Sequence, residues 1–340
     1  MKIFTIFSSQ FFAAFMFMAV AFIATMLFTP LFTDFLYKNK IGKKIRSTDY
    51  EGKKTPIFSA LHKNKENTPT MGGVLIWSVA GIITLVANFY RVTYLPLFTL
   101  VASGIIGAID DLMNVFGVGF GRGGMRFRTK LLIYSIIALI GALWFAYKLE
   151  WLTRPLFVPG FGDLVLGYWY IPVFILTLVF TSFAANQTDG LDGLAGGVFG
   201  LAFSAYTLIS LVKGNYPLAI FCATITGALL AFLWFNVYPA RFFMGDTGAM
   251  SLGMTLGVIA FLTNTLYALP FIGFIMLVEA LSTIIQIISR KFFKRKVFLV
   301  APIHHHFEAL GWPETKVTMR FWIISAVMTV IGLSLVLITG

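Results

Sequence analysis

Long apolar runs alternate with short polar segments along almost the whole chain, and this pattern predicts its architecture. Each run has the length of a helix that crosses a bilayer, about 17–25 residues. A helix is expected for each, because lipid offers no partner for an unpaired backbone N–H or C=O group. The predicted spans are residues 10–33, 71–90, 95–112, 130–148, 169–185, 196–212, 217–235, 248–263, 267–290 and 319–338.

The ninth predicted span differs from the others. It contains Pro270 and the polar residues Glu279, Ser282 and Gln286. Polar groups and a proline are tolerated at membrane depth where neighbouring helices cover them. We therefore expect this helix to be bent or partly lined by protein.

Composition supports a single integral membrane domain over residues 1–340, in the all-α class. Of the residues, 58% are hydrophobic and 12% are charged, which excludes an ordinary soluble protein. The single cysteine, Cys222, excludes an internal disulfide and a cysteine metal cage. Lys2 and the apolar stretch after it resemble a signal peptide, but no small-residue cleavage site follows, so an uncleaved first helix is expected.

The basic residues predict the orientation. When the ten spans are threaded in order, 21 of the 26 basic residues fall on one side, which predicts that this side is cytoplasmic and that both termini lie outside. The net charge of +12 is explained by this topology and by attraction for anionic lipids and substrates, and nucleic acid is not expected. The other side keeps Lys2, Arg91, Lys148, Arg154 and Lys213.

Five polar motifs fall on the predicted cytoplasmic face, whereas the outer loops carry few acids beyond Glu150 and Asp163. Chemistry is therefore expected at the cytoplasmic face. The motifs occupy residues 68–73, 110–111, 186–193, 236–248 and 302–308.

The acids in these motifs are candidates for binding a divalent cation. Asp110 and Asp111 end an apolar run, where adjacent carboxylates suit Mg²⁺; the alternative is a solvated helix end. Asp189 and Asp192 flank glycines that allow close approach to a ligand, although such a sequence also forms ordinary turns. Asp246 is either a metal ligand beside a helix N-terminus or the cap of that helix.

Histidine, basic and aromatic side chains accompany these acids. His304, His305 and His306 cannot all face one way on a helix, so a three-histidine metal cage is not expected. They are candidates for binding phosphate or transferring protons, and the alternative is an interfacial histidine cluster. Phe243 is a candidate for stacking on a base. Six basic residues could clamp phosphate or simply anchor the protein: Lys63, Lys65, Arg122, Arg126, Arg128 and Lys130.

Together these features indicate magnesium-assisted chemistry on a phosphate at the cytoplasmic membrane surface. A lipid or nucleotide-sugar transporter is the alternative from another class. It has little support, because no chain of charges crosses the predicted spans, only Glu279 is clearly buried within one, and no two halves carry matching interrupted helices.

The motifs, taken together from about residue 30 to the end, resemble those of the bacterial phospho-N-acetylmuramoyl-pentapeptide transferases. The wider superfamily of polyprenyl-phosphate N-acetylhexosamine-1-phosphate transferases shares the acidic motifs, and the His-His-His-Phe-Glu sequence favours the muramoyl-pentapeptide branch. The residues that carry the resemblance are Thr68-Pro-Thr-Met-Gly-Gly73, Ile109-Asp110-Asp111, Asn186-Gln-Thr-Asp189-Gly-Leu-Asp192-Gly-Leu-Ala195, Asn236-Val-Tyr-Pro-Ala240, Phe243-Met-Gly-Asp246-Thr-Gly248 and Pro302-Ile-His304-His305-His306-Phe-Glu308.

The resemblance implies a homodimeric ten-helix enzyme of the bacterial plasma membrane. It would transfer phospho-N-acetylmuramoyl-pentapeptide from a UDP carrier to undecaprenyl phosphate, forming lipid I and UMP with Mg²⁺ as cofactor. The alternative within the superfamily is an enzyme that uses UDP-N-acetylglucosamine or another UDP-N-acetylhexosamine.

The resemblance also assigns residues. Asp110, Asp111, Asp246 and His305 would be catalytic, with Asp246 binding Mg²⁺. The substrate-binding residues would be Lys63 or Lys65, Thr68, Thr70, Lys130, Asn186, Asp189, Asp192, Asn236, Phe243, Gln286, His304 and His306.

One departure from the family concerns the phosphate contacts. The family has a lysine four residues after the first acid of the pair, where this chain has Asn114. Arg122, Arg126 or Arg128 could replace that lysine, and the resemblance matches Lys130 to another family lysine. Arginine and lysine are not interchangeable at phosphate sites, so the identity of the replacing cation matters.

Overall fold

The computed structural model describes residues 2–42, 65, 68–119 and 123–339, and within these ranges the chain is almost entirely helical. A short antiparallel hairpin of β1 (Leu156–Val158) and β2 (Gly162–Leu164) is the exception. The helices are α1 (Lys2–Lys38), α2 (Gly73–Ala87), α3 (Tyr94–Phe116), α4 (Phe127–Leu143), α5 (Tyr170–Thr188), α6 (Leu194–Val212), α7 (Tyr216–Asn236), α8 (Gly245–Leu262), α9 (Leu269–Ile272), α10 (Phe274–Ile288), α11 (Ile303–Ala309) and α12 (Glu314–Thr339).

The prediction of an all-α polytopic membrane protein is confirmed. In the described part of the chain, eight helices are long and apolar enough to cross a membrane, and α9 with α10 forms a ninth candidate. The shorter apolar helix α2 occupies the second predicted span. Each of the ten predicted spans thus coincides with an apolar helix or helix pair.

The ninth span is bent, as its sequence predicts. The two segments meet at 81°, and the break falls at Gly273. Pro270 lies in the first turn of α9, where a missing N–H costs nothing, so the proline begins the short helix and does not itself form the bend.

The hairpin lies in the connection between α4 and α5, for which no regular structure is predicted. Two short strands are marginally stable alone, so they depend on contacts with the rest of the chain. The side chain of Asn264 supplies them: its Oδ1 accepts from the N–H of Phe157 at 3.1 Å and its Nδ2 donates to the carbonyl of Pro155 at 3.3 Å.

Helix α8 lies at the centre of the bundle. Of its span, 89% of the residues are buried within the protein, compared with 17% for α1 and 28% for α12. It packs between α3 and α5. Because α1 and α12 bury so little, their apolar side chains are left to face lipid.

Close approach of α3 to α8 depends on Gly107. A Cβ atom at this position would lie 2.5 Å from the Cα atom of Thr247. Asp110 and Asp111 follow Gly107 by about one helical turn, and Asp246 precedes Thr247 on the other helix. The missing side chain therefore brings the acids of two helices together, on what is termed here the acidic face of the bundle. The opposite end, with Arg91 and the hairpin, is termed the far face.

We predict that Gly107→Ala destabilises the protein, because its methyl group would overlap the backbone of α8. Overpacking of this kind costs about 1–3 kcal/mol. The measurement is thermal unfolding of purified protein in a neutral detergent. Gly200→Ala in α6 is the matched control, since a Cβ there meets no atom within 4 Å, and it should leave the midpoint unchanged or raise it. Equal midpoints for Gly107→Ala and the wild type would contradict the prediction.

Candidate active site

Two carboxylates share one lysine at the acidic face. The ammonium group of Lys130, from the first turn of α4, lies 2.6 Å from Oδ2 of Asp110 and 2.5 Å from Oδ2 of Asp246. Asp110 is buried, whereas the side chains of Lys130 and Asp246 are each about one-fifth exposed. The lysine offsets the repulsion between the two acids, and the exposed edge of this Asp–Lys–Asp cluster is open to a ligand.

Further hydrogen bonds fix both carboxylates. Oδ1 of Asp110 accepts from the backbone N–H of Met125 at 2.5 Å, and Oδ2 accepts from the amide of Asn114 at 3.0 Å. Oδ1 of Asp246 accepts from Asn186 at 2.7 Å. Both acids are therefore held in one orientation before any substrate arrives, as a catalytic site requires.

Asp111 has different surroundings from its neighbour. Its buried carboxylate accepts from the backbone N–H groups of Asp246 at 3.2 Å and of Thr247 at 3.1 Å. These N–H groups belong to the first turn of α8 and have no partner within that helix. Asp111 thus caps α8 from a different helix, and the alternative interpretation of Asp246 as the cap is wrong.

Lys130 is the cation that stands beside the acids, and Asn114 occupies the position of the missing family lysine. Asn114 still contacts Asp110, but as an amide donor. Lys130 supplies the positive charge, whereas Arg126 and Arg128 are exposed. Arg122 lies outside the described residues.

The loop between α5 and α6 connects three parts of the site. Oδ2 of Asp189 accepts from the backbone N–H of Gly245 at 3.1 Å, at the start of α8. Gly190 faces the imidazole of His304 so closely that a Cβ would overlap Nε2. The close approach expected from this glycine is therefore to a histidine of the protein itself.

Asp192, in the same loop, forms a second charged group with Lys65 and Glu314. Nζ of Lys65 lies 2.6 Å from Oδ1 of Asp192 and 2.5 Å from Oε1 of Glu314, which also accepts from the backbone N–H of Asp192 at 2.6 Å. Burial lowers the pKa of Lys65, but the carboxylates of Glu314 and Asp192 outweigh it and raise the pKa above its usual range. The sequence analysis did not identify Glu314. Its position in the first turn of the last membrane helix, on the predicted cytoplasmic side, could have indicated it.

The aromatic candidate Phe243 lies beside this group. Its ring centre is 5.8 Å from Nζ of Lys65. Its backbone N–H donates to the carbonyl of Pro69, and its own carbonyl accepts from Gly72, both at 2.8 Å. The segment 68–73 is thereby placed at the site: Thr70 is buried and its hydroxyl lies near Gly245, whereas Thr68 is half-buried. Lys63 lies outside the described residues.

Asn236 and Gln286 use their amide groups to hold loops. Asn236 accepts from the N–H of Gly193 at 3.0 Å and donates to the carbonyl of Phe242 at 2.9 Å. Gln286 accepts from Val297 and Phe298 at 3.0 Å and donates back to Phe298 at 2.9 Å. Direct contact of these two residues with substrate stays a prediction.

The three histidines on α11 point to three different partners, as their spacing predicts. Nδ1 of His304 lies 2.9 Å from Oε2 of Glu279, the buried acid of the ninth span. Nδ1 of His305 lies 2.6 Å from Oε2 of Glu308. His306 accepts from the N–H of Leu299 at 3.2 Å. Burial and the neighbouring His304 lower the pKa of His305 to about 4, so this imidazole is neutral at pH 7.

The acids at the cluster fit a divalent cation of the magnesium type. The described residues contain no group of three or more His, Cys, Asp or Glu side chains arranged as a metal cage. Mg²⁺ does not need one, because it binds one or two carboxylates and completes its shell with water and phosphate oxygens. Oδ2 of Asp110 and Oδ2 of Asp246 already converge on a single cation, the ammonium of Lys130.

Comparison with known proteins agrees with this site. Residues 93–264 match the model of glycosyl transferase family 4, and residues 65–76 match the phospho-N-acetylmuramoyl-pentapeptide-transferase signature 1. These two ranges hold Lys65, both threonines of the 68–73 segment and the whole Asp–Lys–Asp cluster.

Curated relatives match nearly the whole chain. The phospho-N-acetylmuramoyl-pentapeptide-transferase of Chloroflexus aggregans is 40% identical over 95% of this chain and 89% of its own length. That of Rubrobacter xylanophilus is 39% identical over 92% of this chain and 94% of its own. That of Geobacillus sp. strain WCH70 is 38% identical over 92% and 95%. The chain belongs to the phospho-N-acetylmuramoyl-pentapeptide-transferase family.

Proposed function

We infer that the protein transfers phospho-N-acetylmuramoyl-pentapeptide from its UDP carrier to undecaprenyl phosphate in the bacterial plasma membrane, forming lipid I and UMP. Family membership over nearly the whole chain supports this reaction. The observation that assigns this reaction to a site is the Asp–Lys–Asp cluster, where three helices bring together acids from two motifs that resemble those of the family.

The reaction joins two anions, so charge neutralisation is the main demand on the site. In the net reaction, a bond forms from an oxygen of the lipid phosphate to the phosphorus that bears the sugar, and the bond from that phosphorus to the UMP oxygen breaks. Alignment of the two phosphates and stabilisation of their charge account for most of the acceleration in such transfers. Lys130 is the protein cation nearest this point, and Asp110 and Asp246 hold it in place.

Asp246 is proposed to hold Mg²⁺, with Asp110 beside it. When bound, the ion would act as a Lewis acid on phosphate oxygens and neutralise charge that develops on them. Asn186 would keep Asp246 oriented, because it donates to the oxygen that does not face Lys130.

The nucleoside is proposed to bind on the side of Phe243 and Lys65. The ring of Phe243 is half-buried and would stack on uracil. Lys65, held by Asp192 and Glu314, would approach the diphosphate, together with Thr68 and Thr70. Asn236 and Gln286 would shape this pocket through the loops that they hold.

His305 is proposed to act as a neutral hydrogen-bonding group near the substrate phosphates. Its low pKa keeps it uncharged at pH 7, and Glu308 fixes the orientation of its ring. His304 and Glu279 would position the Asp189–Asp192 loop through the contact with Gly190.

The orientation and assembly are part of the same proposal. The charge distribution favours a cytoplasmic acidic face, where a soluble nucleotide donor is available. A single integral membrane domain and a homodimer are expected from the family resemblance.

Asp246→Ala is predicted to lower the turnover rate by at least about 10²–10³-fold, because a charge-stabilising group is lost. The measurement is release of UMP by purified protein in detergent with undecaprenyl phosphate, Mg²⁺ and UDP-N-acetylmuramoyl-pentapeptide. Asp163→Ala, on the exposed strand β2, is the control and should retain full activity. UDP-N-acetylglucosamine serves as the alternative donor. Release of UMP from it in preference to the muramoyl donor would assign the protein to another branch of the superfamily.

Lys130→Gln is predicted to reduce activity by about 10²-fold or more, because Asp110 and Asp246 lose their shared cation. Arg128→Gln, two residues earlier and exposed, should change activity less than about threefold in the same UMP assay. The reverse ranking of the two variants would show that an arginine, and not Lys130, supplies the charge.

Glu314→Gln is predicted to raise the KM for the UDP donor about tenfold with a small effect on kcat. Lys65 and the N–H of Asp192 would each lose a charged acceptor, which costs about 1.5–3 kcal/mol for a hydrogen bond to a charged group. Steady-state kinetics at saturating undecaprenyl phosphate measures this change, and Glu150→Gln on the far face is the matched control. An unchanged KM would remove Glu314 from the donor site.

A further inference from the structure

The far face carries a cluster of basic residues that the transfer reaction does not use. Arg91 lies between α2 and α3, Lys148 ends the turn after α4, Arg154 precedes β1, and Lys213 follows α6. They line two cavities of about 330 and 350 Å³, which share Trp151 among their walls. Three separate connections of the bundle therefore deliver cations to one place.

The predicted membrane topology alone does not account for this gathering of basic residues. The predicted outer side keeps 5 of the 26 basic residues, and these four line the cavities. Glu150 is the single acid in the walls of the pair. Within the described ranges, no carboxylate forms an ion pair with any of the four. An excess of positive charge gathered around a concave surface favours binding of an anion.

The cavity walls are held in place by contacts within the protein. The guanidinium of Arg91 donates to the carbonyl of Lys148, and that of Arg154 lies 5.3 Å from the ring centre of Trp151. Trp151 is buried and packs edge-on against Phe145 at 5.1 Å. The surface is thus preorganised, which lowers the entropy that a ligand must offset.

Backbone charge adds to that of the side chains. Helix α7 begins at Tyr216, directly after the wall residue Asn215. The N-terminus of a helix carries a partial positive charge and unpaired N–H groups. The side chain of Asn215 forms no capping bond with these groups. Four cations and the amide of Asn215 therefore line the paired cavities, and the start of α7 lies directly after Asn215.

The walls also include apolar groups, which indicate an amphiphilic ligand. Trp151 and Leu262 contribute to both cavities, and Leu149 to one. The cavities lie where the candidate spans Phe127–Lys148, Leu194–Val212 and Gly245–Leu262 end, and the ends of spans are expected at the membrane–water interface. Their volumes lie in the range of small-ligand sites, about 300–1,000 Å³.

We propose that the paired cavities on the far face bind a phosphate-bearing anion, the headgroup of an anionic phospholipid in the leaflet opposite the catalytic site. Arg154 and Lys213 would contact the phosphate on one side and Arg91 and Lys148 on the other. Trp151 would face the glycerol region, as aromatic residues do at membrane interfaces.

The test is native mass spectrometry of the full-length protein released from a neutral detergent. Dioleoyl phosphatidylglycerol, dioleoyl phosphatidylcholine and inorganic phosphate are titrated separately. We expect phosphatidylglycerol to fill a first, saturable site at least about tenfold more tightly than phosphatidylcholine. Arg154→Gln with Lys213→Gln should weaken this site about tenfold.

Two controls keep the result specific. Lys294→Gln with Lys296→Gln removes the same charge from the exposed loop after α10 and should leave the first site within twofold of the wild type. Arg91→Gln with Lys148→Gln removes the two cations that line only the second cavity, and unfolding temperatures without lipid verify that each variant is folded. First-site affinity that is equal in the wild type and both cavity variants would overturn the proposal. Inorganic phosphate that displaces the lipid at micromolar concentration would overturn the assignment to a lipid and identify a soluble anion.

Discussion

Repulsion among three carboxylates is the constraint on which this structure depends. Asp110, Asp111 and Asp246 meet where α3 crosses α8, and each needs a different compensation. Lys130 lies between the first and the third, while the N–H groups of the first turn of α8 donate to the second. A buried carboxylate without such partners costs several kcal/mol, so the arrangement of α3, α4 and α8 is fixed by the need to satisfy them.

The loop that contains Asp189 and Asp192 connects this cluster to the rest of the site. One end contacts the start of α8, the middle contacts His304, and the other end contacts Lys65 and Glu314. A substrate that touches any one of these groups also acts on a segment shared by the others. The donor site proposed beside Phe243 and the phosphate site proposed beside Lys130 therefore share this loop.

The sequence predicted the helices well, but it predicted contacts between distant side chains less well. Long apolar runs have few alternatives to a helix in lipid, so an apolar helix or helix pair occupies each of the ten predicted spans, and the ninth is bent as expected. The contact of Lys130 with both Asp110 and Asp246 could not be predicted from the sequence, because it depends on the path of the chain between α3 and α4. Glu314 and the His304–Glu279 contact were missed for the same reason: each joins segments far apart in the chain. The hairpin was missed because its strands have three residues each.

The cap that Asp111 forms on α8 has a consequence for how the protein is made. The two partners are 135 residues apart in the chain, and five membrane helices, α4 to α8, follow α3 before the bond can close. During synthesis, α3 enters the membrane with an acid pair whose partners do not yet exist. The acidic end of α3 must therefore stay at the water boundary, hydrated or protonated, until α8 is inserted. Assembly of the bundle and completion of the active site are one event.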